Sequence, residues 1–214
     1  QALLSLIEDQ KVAENRLKKL KSDLIIAYDS TLDGWSHALE LREQETAGHS
    51  RRVVNLALTI AQKLGVSGDD LMQIERGALL HDIGKMGIPD SILLKPGPLT
   101  EEEWVIMRKH PVYAYNLLSK IDFLKPALDI PYSHHERWDG SGYPQGLMGK
   151  EIPLADRILA VVDIWDALSY DRPYRLAWKR KDILAYIRDI AGKHLDPEIV
   201  DIFLSVIEQE DSEG

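Results

Sequence analysis

The chain has 214 residues, 44% of them hydrophobic and 29% charged, a balance that suits one good-sized soluble core or two small ones. A formal net charge of −9 argues against a broad basic face for duplex nucleic acid, and the lack of cysteine excludes disulfides and thiolate ligands. No apolar run approaches the roughly 20 residues needed to cross a bilayer, and no signal-peptide pattern opens the chain. The expectation is therefore no membrane contact from this segment and a reducing, cytoplasmic setting.

In chain order, residues 2–21 carry Leu3, Leu4, Ile7, Val12, Leu17 and Leu20 among many charges and predict an amphipathic helix. A second helix is expected from about Ser22 to Glu45, with Leu24, Ile25, Leu32, Trp35, Leu39 and Leu41 as its apolar positions. The sequence opens on Gln1 and reads as a piece of a longer protein. Residues 1–35 are expected to be a helical linker from an upstream sensor, and residues 36–214 the working domain. The apolar spacing of the linker favours pairing with a second copy of the chain. Asp9, Lys11 and Lys18 interrupt a long clean seam, and packing on its own domain is the alternative.

Helices are expected over His49–Leu64, with Val53, Leu56, Ala57 and Ile60 on one face, and from Asp69 to about Asp82. Gly84 to Thr100, with Pro89, Pro96, Gly97 and Pro98, is a long connection of the kind that often carries function. Thr100 and Glu103 form a capping box for a helix reaching Lys109, and Pro111 suits the first turn of its successor. A helix from about Lys125 to Glu136 would deliver His134 and His135. The glycine- and proline-bearing stretch from Arg137 to Pro153 reads as a loop. Leu154 to Ser169 is an apolar helix, and Lys179–Ala191 and Asp196–Ile207 close the chain, the last with Asp196 as N-cap and Pro197 after it. No strand pair is evident, so the fold class is all-α.

Five of the seven histidines stand in short motifs beside carboxylates: His49, His81, His110, His134 and His135, with Asp82 and Asp163. Imidazole and carboxylate without thiolate suit catalytic iron, manganese or zinc better than a structural zinc. Adjacent residues on a helix point about 100° apart, so His81 and Asp82 can serve one metal, or Asp82 can bridge two. Gly84 gives the backbone room, and Lys85 brings a point charge that can reach a phosphate. Asp163 and Asp166, three apart on an apolar helix, face one way. Glu45, four residues before His49, can add a carboxylate ligand or be a plain surface glutamate. Arg172 and Arg175 suit a phosphate, or form a surface cluster at a helix end. His37 and His194 lack supporting context and read as structural.

His81-Asp82-Ile83-Gly84-Lys85, Lys109-His110-Pro111, the run His134-His135-Glu136-Arg137-Trp138-Asp139-Gly140-Ser141-Gly142-Tyr143-Pro144, and Asp163-Ile164-Trp165-Asp166-Ala167-Leu168 together resemble the HD-GYP family. This is a branch of the HD phosphohydrolase superfamily, and the match runs from about Glu40 to near Ile207. The resemblance implies an HD-type helical bundle that hydrolyses cyclic di-GMP, a bacterial second messenger, to the linear dinucleotide or GMP. It implies two or three divalent ions, most often iron or manganese, with zinc, nickel, magnesium and calcium also compatible. The implied ligands are His49, His81, Asp82, His110, His134, His135 and Asp163, with Glu45 matching the extra carboxylate of trinuclear members. Lys85, Asp166, Arg172 and Arg175 fall where the family contacts substrate, and Tyr143 lies in the loop that names the family. Lys85, Asp82 and Asp166 form the expected catalytic set, Lys85 neutralising developing charge and Asp166 orienting the nucleophile or assisting the leaving group. The loop Gly142-Tyr143-Pro144 is a candidate docking point for a diguanylate cyclase. Two alternatives stand beside this reading: a non-catalytic module that binds the nucleotide or docks a partner, and a phosphodiesterase for a different cyclic dinucleotide.

Overall fold

The computed structural model describes residues 2–43, 48–171 and 176–213. The helices in order are α1 (Ala2–Glu43), α2 (His49–Lys63), α3 (Gly68–Leu79), α4 (Asp90–Leu93) and α5 (Glu101–Met107). They continue with α6 (His110–Leu118), α7 (Asp129–Ser133), α8 (Leu154–Ser169), α9 (Arg180–Asp189) and α10 (Pro197–Glu213). Tight 3₁₀ turns cover Ile83–Gly87, Asp122–Ala127 and Gly149–Glu151. Among the described residues the only β pairing is an isolated bridge between Ala191 and Leu195, so the fold is all-α.

Three expectations about elements are corrected. The two N-terminal helices are one, because nothing between Lys21 and Glu43 interrupts the ladder and the hydroxyls of Ser30 and Thr31 bond back to the Ile26 and Ala27 carbonyls. The helix expected to contain His81 and Asp82 stops at Leu79, where the Leu80 amide is shared between the Arg76 and Gly77 carbonyls and the chain tightens into the 3₁₀ turn. The helix expected from Lys125 to Glu136 is a 3₁₀ turn followed by the five-residue α7. Pro126 disfavours the α conformation at Lys125, and Pro131 has no amide to lend the ladder.

Other signals hold. The capping box of α5 is formed, with Thr100 and Glu103 bonded reciprocally. Asp196 Oδ1 accepts the Glu198 amide at 2.8 Å at the start of α10, and α8 has the expected bounds. α2 and α8 lie at the centre of the bundle. Val53, Ala57, Ile60 and Ala61 pack with Ile158, Leu159, Val161 and Val162, while Ile183, Ile187 and Phe203 close the far side. Each such large side chain contributes about 1.5–3 kcal/mol by leaving water. This packing fixes the two helices that carry His49 and Asp163. The C-terminal half of α1 joins the same body through buried Leu32 and Leu39, the Tyr28–Phe123 ring contact and the Asp29–Arg76 ion pair.

Candidate metal centre

Three of the histidines sit where a helix ends. A helix C-terminus leaves carbonyls without intrahelical donors. His81, just past α3, sets Nδ1 at 2.7 Å from the Ala78 carbonyl. His110, following α5, sets Nδ1 at 2.9 Å from the Met107 carbonyl. His134, following α7, sets Nδ1 at 3.0 Å from the Ile130 carbonyl. A carbonyl only accepts, so each Nδ1 carries the proton and each Nε2 keeps its lone pair. His49 reaches the same tautomer through a side chain, with Nδ1 at 2.6 Å from Asp166 Oδ2. Four Nε2 atoms are thereby left as lone pairs, the outer-shell arrangement that orients histidine toward metal.

The convergent atoms form two groups, each able to hold an ion: Asp82, His110, His134 and His135 in one, and His49, His81 and Asp163 in the other. Asp82 joins them. Its Oδ1 lies 3.4 Å from His110 Nε2 and 3.7 Å from His134 Nε2, and its Oδ2 lies 3.1 Å from His81 Nε2. In the second group His49 Nε2 is 3.7 Å from Asp163 Oδ1.

The residues present fit a cation. His81 Nε2 is buried without a hydrogen-bond partner, and as a lone pair it faces a carboxylate oxygen. His110 Nε2 and His134 Nε2, both lone pairs by the same tautomer argument, stand 3.2 Å apart. Acceptors facing acceptors at these distances repel unless positive charge lies between them. The protonation tendencies agree. Burial pushes His81 down, but the charge of the nearby Asp82 carboxylate, with that of Asp163, lifts it to about 9. Burial, with neighbouring His134, lowers His110 to about 3 and His135 well below its ordinary value. Burial would raise Asp82, yet Lys85 and His81 hold its carboxyl well below the usual range.

Two glycines let the motifs close. A Cβ on Gly84 would lie 1.9 Å from the His110 carbonyl oxygen, so only glycine lets the 3₁₀ turn press against the start of α6. A Cβ on Gly142 would lie 2.4 Å from the Arg137 amide nitrogen, and this contact folds the 137–153 loop back on its own beginning. Glu136, buried, holds that loop by accepting the amides of Gln145 at 2.7 Å, Gly146 at 3.2 Å and Leu147 at 3.0 Å. Tyr143 is thereby stacked on His135, with ring centroids 4.8 Å apart. Burial and the charge of Asp82 push its hydroxyl up to about 12.

Lys85 Nζ lies 2.8 Å from Asp82 Oδ2 and 3.2 Å from Glu43 Oε2 at the edge of the centre. Asp166 is placed behind His49, where Arg52 Nε and Nη2 also bind its two oxygens at 2.7 and 3.1 Å. Burial would raise Asp166, but the hydrogen bonds from His49 and Arg52 bring it below the ordinary carboxylate value. Sequence reasoning missed Arg52, Glu136 and Arg42. The first was within reach, since Arg52 is three residues after His49 and shares its helix face. His194 and His37 join neither group; burial lowers His194 to about 4. Glu45, Arg172 and Arg175 lie outside the described residues.

Comparison with known proteins follows the same lines. The HD domain family model matches residues 35–199. The chain is 41% identical over 211 residues to the cyclic di-GMP phosphodiesterase response regulator RpfG of Xanthomonas campestris, covering 94% of this chain and 56% of that protein. It is 44% identical over 169 residues to a cyclic di-GMP phosphodiesterase of Thermotoga maritima, covering 78% and 46%. It is also 40% identical over 171 residues to the 3′3′-cGAMP-specific phosphodiesterase 2 of Vibrio cholerae, covering 79% and 33%. The chain thus spans between a third and just over half of the length of these relatives. In fold it resembles Bd1817, an HDGYP protein from Bdellovibrio bacteriovorus, with a TM-score of 0.60, 23% identity, and 75% of this chain and 51% of that one covered. A cyclic GMP-AMP phosphodiesterase of Vibrio cholerae gives a TM-score of 0.64 at 18% identity, with 83% and 48% covered.

Proposed function

The chain belongs to the HD domain family, in its HD-GYP branch, and from that premise we propose that it hydrolyses a phosphodiester bond of cyclic di-GMP at a centre of two divalent ions. The observation that carries this reading is Asp82, whose two oxygens face the two ligand groups separately. Asp82 would thus be available to an ion in either group. His110, His134 and His135 would complete one site with Asp82, and His49, His81 and Asp163 the other. Bound divalent ions supply a nucleophilic water of lowered pKa and neutralise phosphate oxygens. The set of imidazole and carboxylate donors suits iron or manganese. A third ion would need Glu45 as a further ligand.

The protein's own part is orientation and charge. The acceptors behind His49, His81, His110 and His134 fix the tautomer that turns each Nε2 toward a metal. Lys85 extends a cation past Asp82 toward the position of a substrate phosphate. Asp166, with both oxygens engaged by His49 and Arg52, acts on the reaction through His49. Arg172 and Arg175 are proposed to bind the second phosphate or a guanine edge. The proposals that residues 1–35 link to an upstream sensor, and that a diguanylate cyclase docks on the Gly142–Pro144 loop, rest on the family resemblance. Among the described residues no helix is long and apolar enough to cross a membrane, and a cytoplasmic setting is proposed.

The cGAMP-specific relative gives the second reading its footing: the same centre acting on a guanine–adenine cyclic dinucleotide. Turnover by anaerobically purified, metal-loaded protein on cyclic di-GMP, 3′3′-cGAMP and cyclic di-AMP separates the readings. Cyclic di-GMP is expected to be cleaved fastest. Lys85→Ala should slow it by about 10²-fold with metal content unchanged, as loss of a charged transition-state contact does. Metal-loaded protein that binds but never cleaves any of the three would leave a binding module instead.

A further inference from the structure

The last turn of α1 is bonded to the segment that carries Lys85. Arg42 Nη1 donates to the Lys85 carbonyl at 3.0 Å, and Nη2 donates to the Ile88 carbonyl at 2.7 Å. Arg42 Nε and Nη2 also reach Asp90 Oδ1, at 3.1 and 2.7 Å. One guanidinium therefore spans the middle of the 3₁₀ turn, its exit and the first residue of α4. The next residue, Glu43, holds the Lys85 ammonium itself at 3.2 Å, with only 8% of its side chain exposed. Two residues before Arg42, Glu40 Oε1 accepts the Ser50 amide at 2.9 Å, beside His49. A single helical turn thus touches the backbone of Lys85, the head group of Lys85, and the start of the helix that presents His49.

We propose that Arg42 and Glu43 are positioning residues for Lys85, and that α1 sets how the ammonium is presented to the substrate phosphate. The inference rests on the reading of this site as a cyclic dinucleotide phosphodiesterase. Lysine is a point charge on a flexible four-carbon stem, so its placement depends on what fixes its two ends. Here Arg42 fixes the backbone end, and Asp82 with Glu43 fixes the head. A misplacement of about 1 Å in a catalytic group can cost on the order of 10²-fold in rate. α1 is one unbroken helix of 42 residues, so a rotation or slide anywhere along it arrives at the Lys85 carbonyl without a hinge between.

The test is a double-mutant cycle on the full chain, metal-loaded, with cyclic di-GMP as substrate. Arg42→Ala is expected to lower kcat about tenfold at wild-type metal content, through the lost placement of Lys85. Arg42→Lys should not restore it, because one ammonium cannot span two carbonyls and a carboxylate. Added to Lys85→Ala, Arg42→Ala should cause no further loss, since both act through the same ammonium. Losses that multiply would overturn the proposal and make Arg42 a general structural contact. A second readout does not depend on turnover. Amide hydrogen exchange of residues 83–88 should quicken by about tenfold in Arg42→Ala while that of α9 is unchanged. Equal exchange in both segments would overturn the link even if the protein cleaves nothing. Inert wild-type protein would instead defeat the proposed activity, with the exchange result still deciding whether Arg42 holds the segment.

Discussion

Asp166 shows what a residue's neighbours add to its sequence context. Its spacing from Asp163 puts both carboxylates toward one side of α8, which is legible. That its partners are His49 and Arg52 is not, because α2 meets α8 only in the folded chain. Asp166→Asn is expected to weaken metal binding by about 10–100-fold, the usual cost of losing an outer-shell partner, while turnover at saturating metal falls less. Calorimetric metal titration checks this; wild-type affinity with lost turnover would return Asp166 to direct catalysis. Asp156 is a different case, a fully buried carboxylate with neither oxygen hydrogen-bonded. Burial, reinforced by Asp129 and Glu136, pushes its pKa well above the ordinary value. A carboxyl with a raised folded-state pKa leaves stability intact below the unfolded value and erodes it as pH climbs toward the folded one. Asp156→Asn should therefore flatten the pH dependence, matching the parent near pH 4 and exceeding it at pH 8 by on the order of 1–3 kcal/mol. Thermal melts across that range give the answer, and parallel curves would refute it.

At the scale of elements, the chain's local signals were legible wherever one residue decides the outcome. The Thr100–Glu103 box, Asp196 with Pro197, and the bounds of α8 are such places. What was not legible is how helices end at the centre. His81 and Asp82 were expected on a helix, and His134 and His135 at the end of a long one. Instead the helices stop short, and carbonyls of their last turns become the acceptors that set His81, His110 and His134. The seven candidate ligand residues could be picked out from motifs, but their division into two groups depends on which helix end meets which. Gly84 is the element-scale test. A methyl there would meet the His110 carbonyl, backbone that cannot turn aside. Gly84→Ala is expected to lower stability by about 1–3 kcal/mol or more and to deplete bound metal, by pushing the 3₁₀ turn off α6. Wild-type melting and metal content together would show that the contact yields.

For the whole molecule, α1 is the feature that reaches beyond the bundle, about 63 Å long at 1.5 Å per residue. Leu3, Leu6, Gln10, Ala13, Leu17, Leu20, Leu24 and Ala27 follow alternating three- and four-residue steps, and all are exposed. Asp9, Lys11 and Lys18 lie beside this stripe. At about 100° per residue the stripe lies roughly a quarter turn around the helix from Leu32, Ser36 and Leu39, by which α1 packs on its own domain. Such spacing suits a second copy of the same helix. Light scattering should find a dimer that becomes monomeric when residues 1–22 are removed; monomers in both forms would contradict it. Anomalous diffraction from crystals of anaerobically purified protein tests the pair of metal sites. Two peaks are expected, one among Asp82, His110, His134 and His135 and one among His49, His81 and Asp163, with any third ion bound by Glu45. A single peak outside these groups, or none in protein that still cleaves cyclic di-GMP, would contradict this pair of sites.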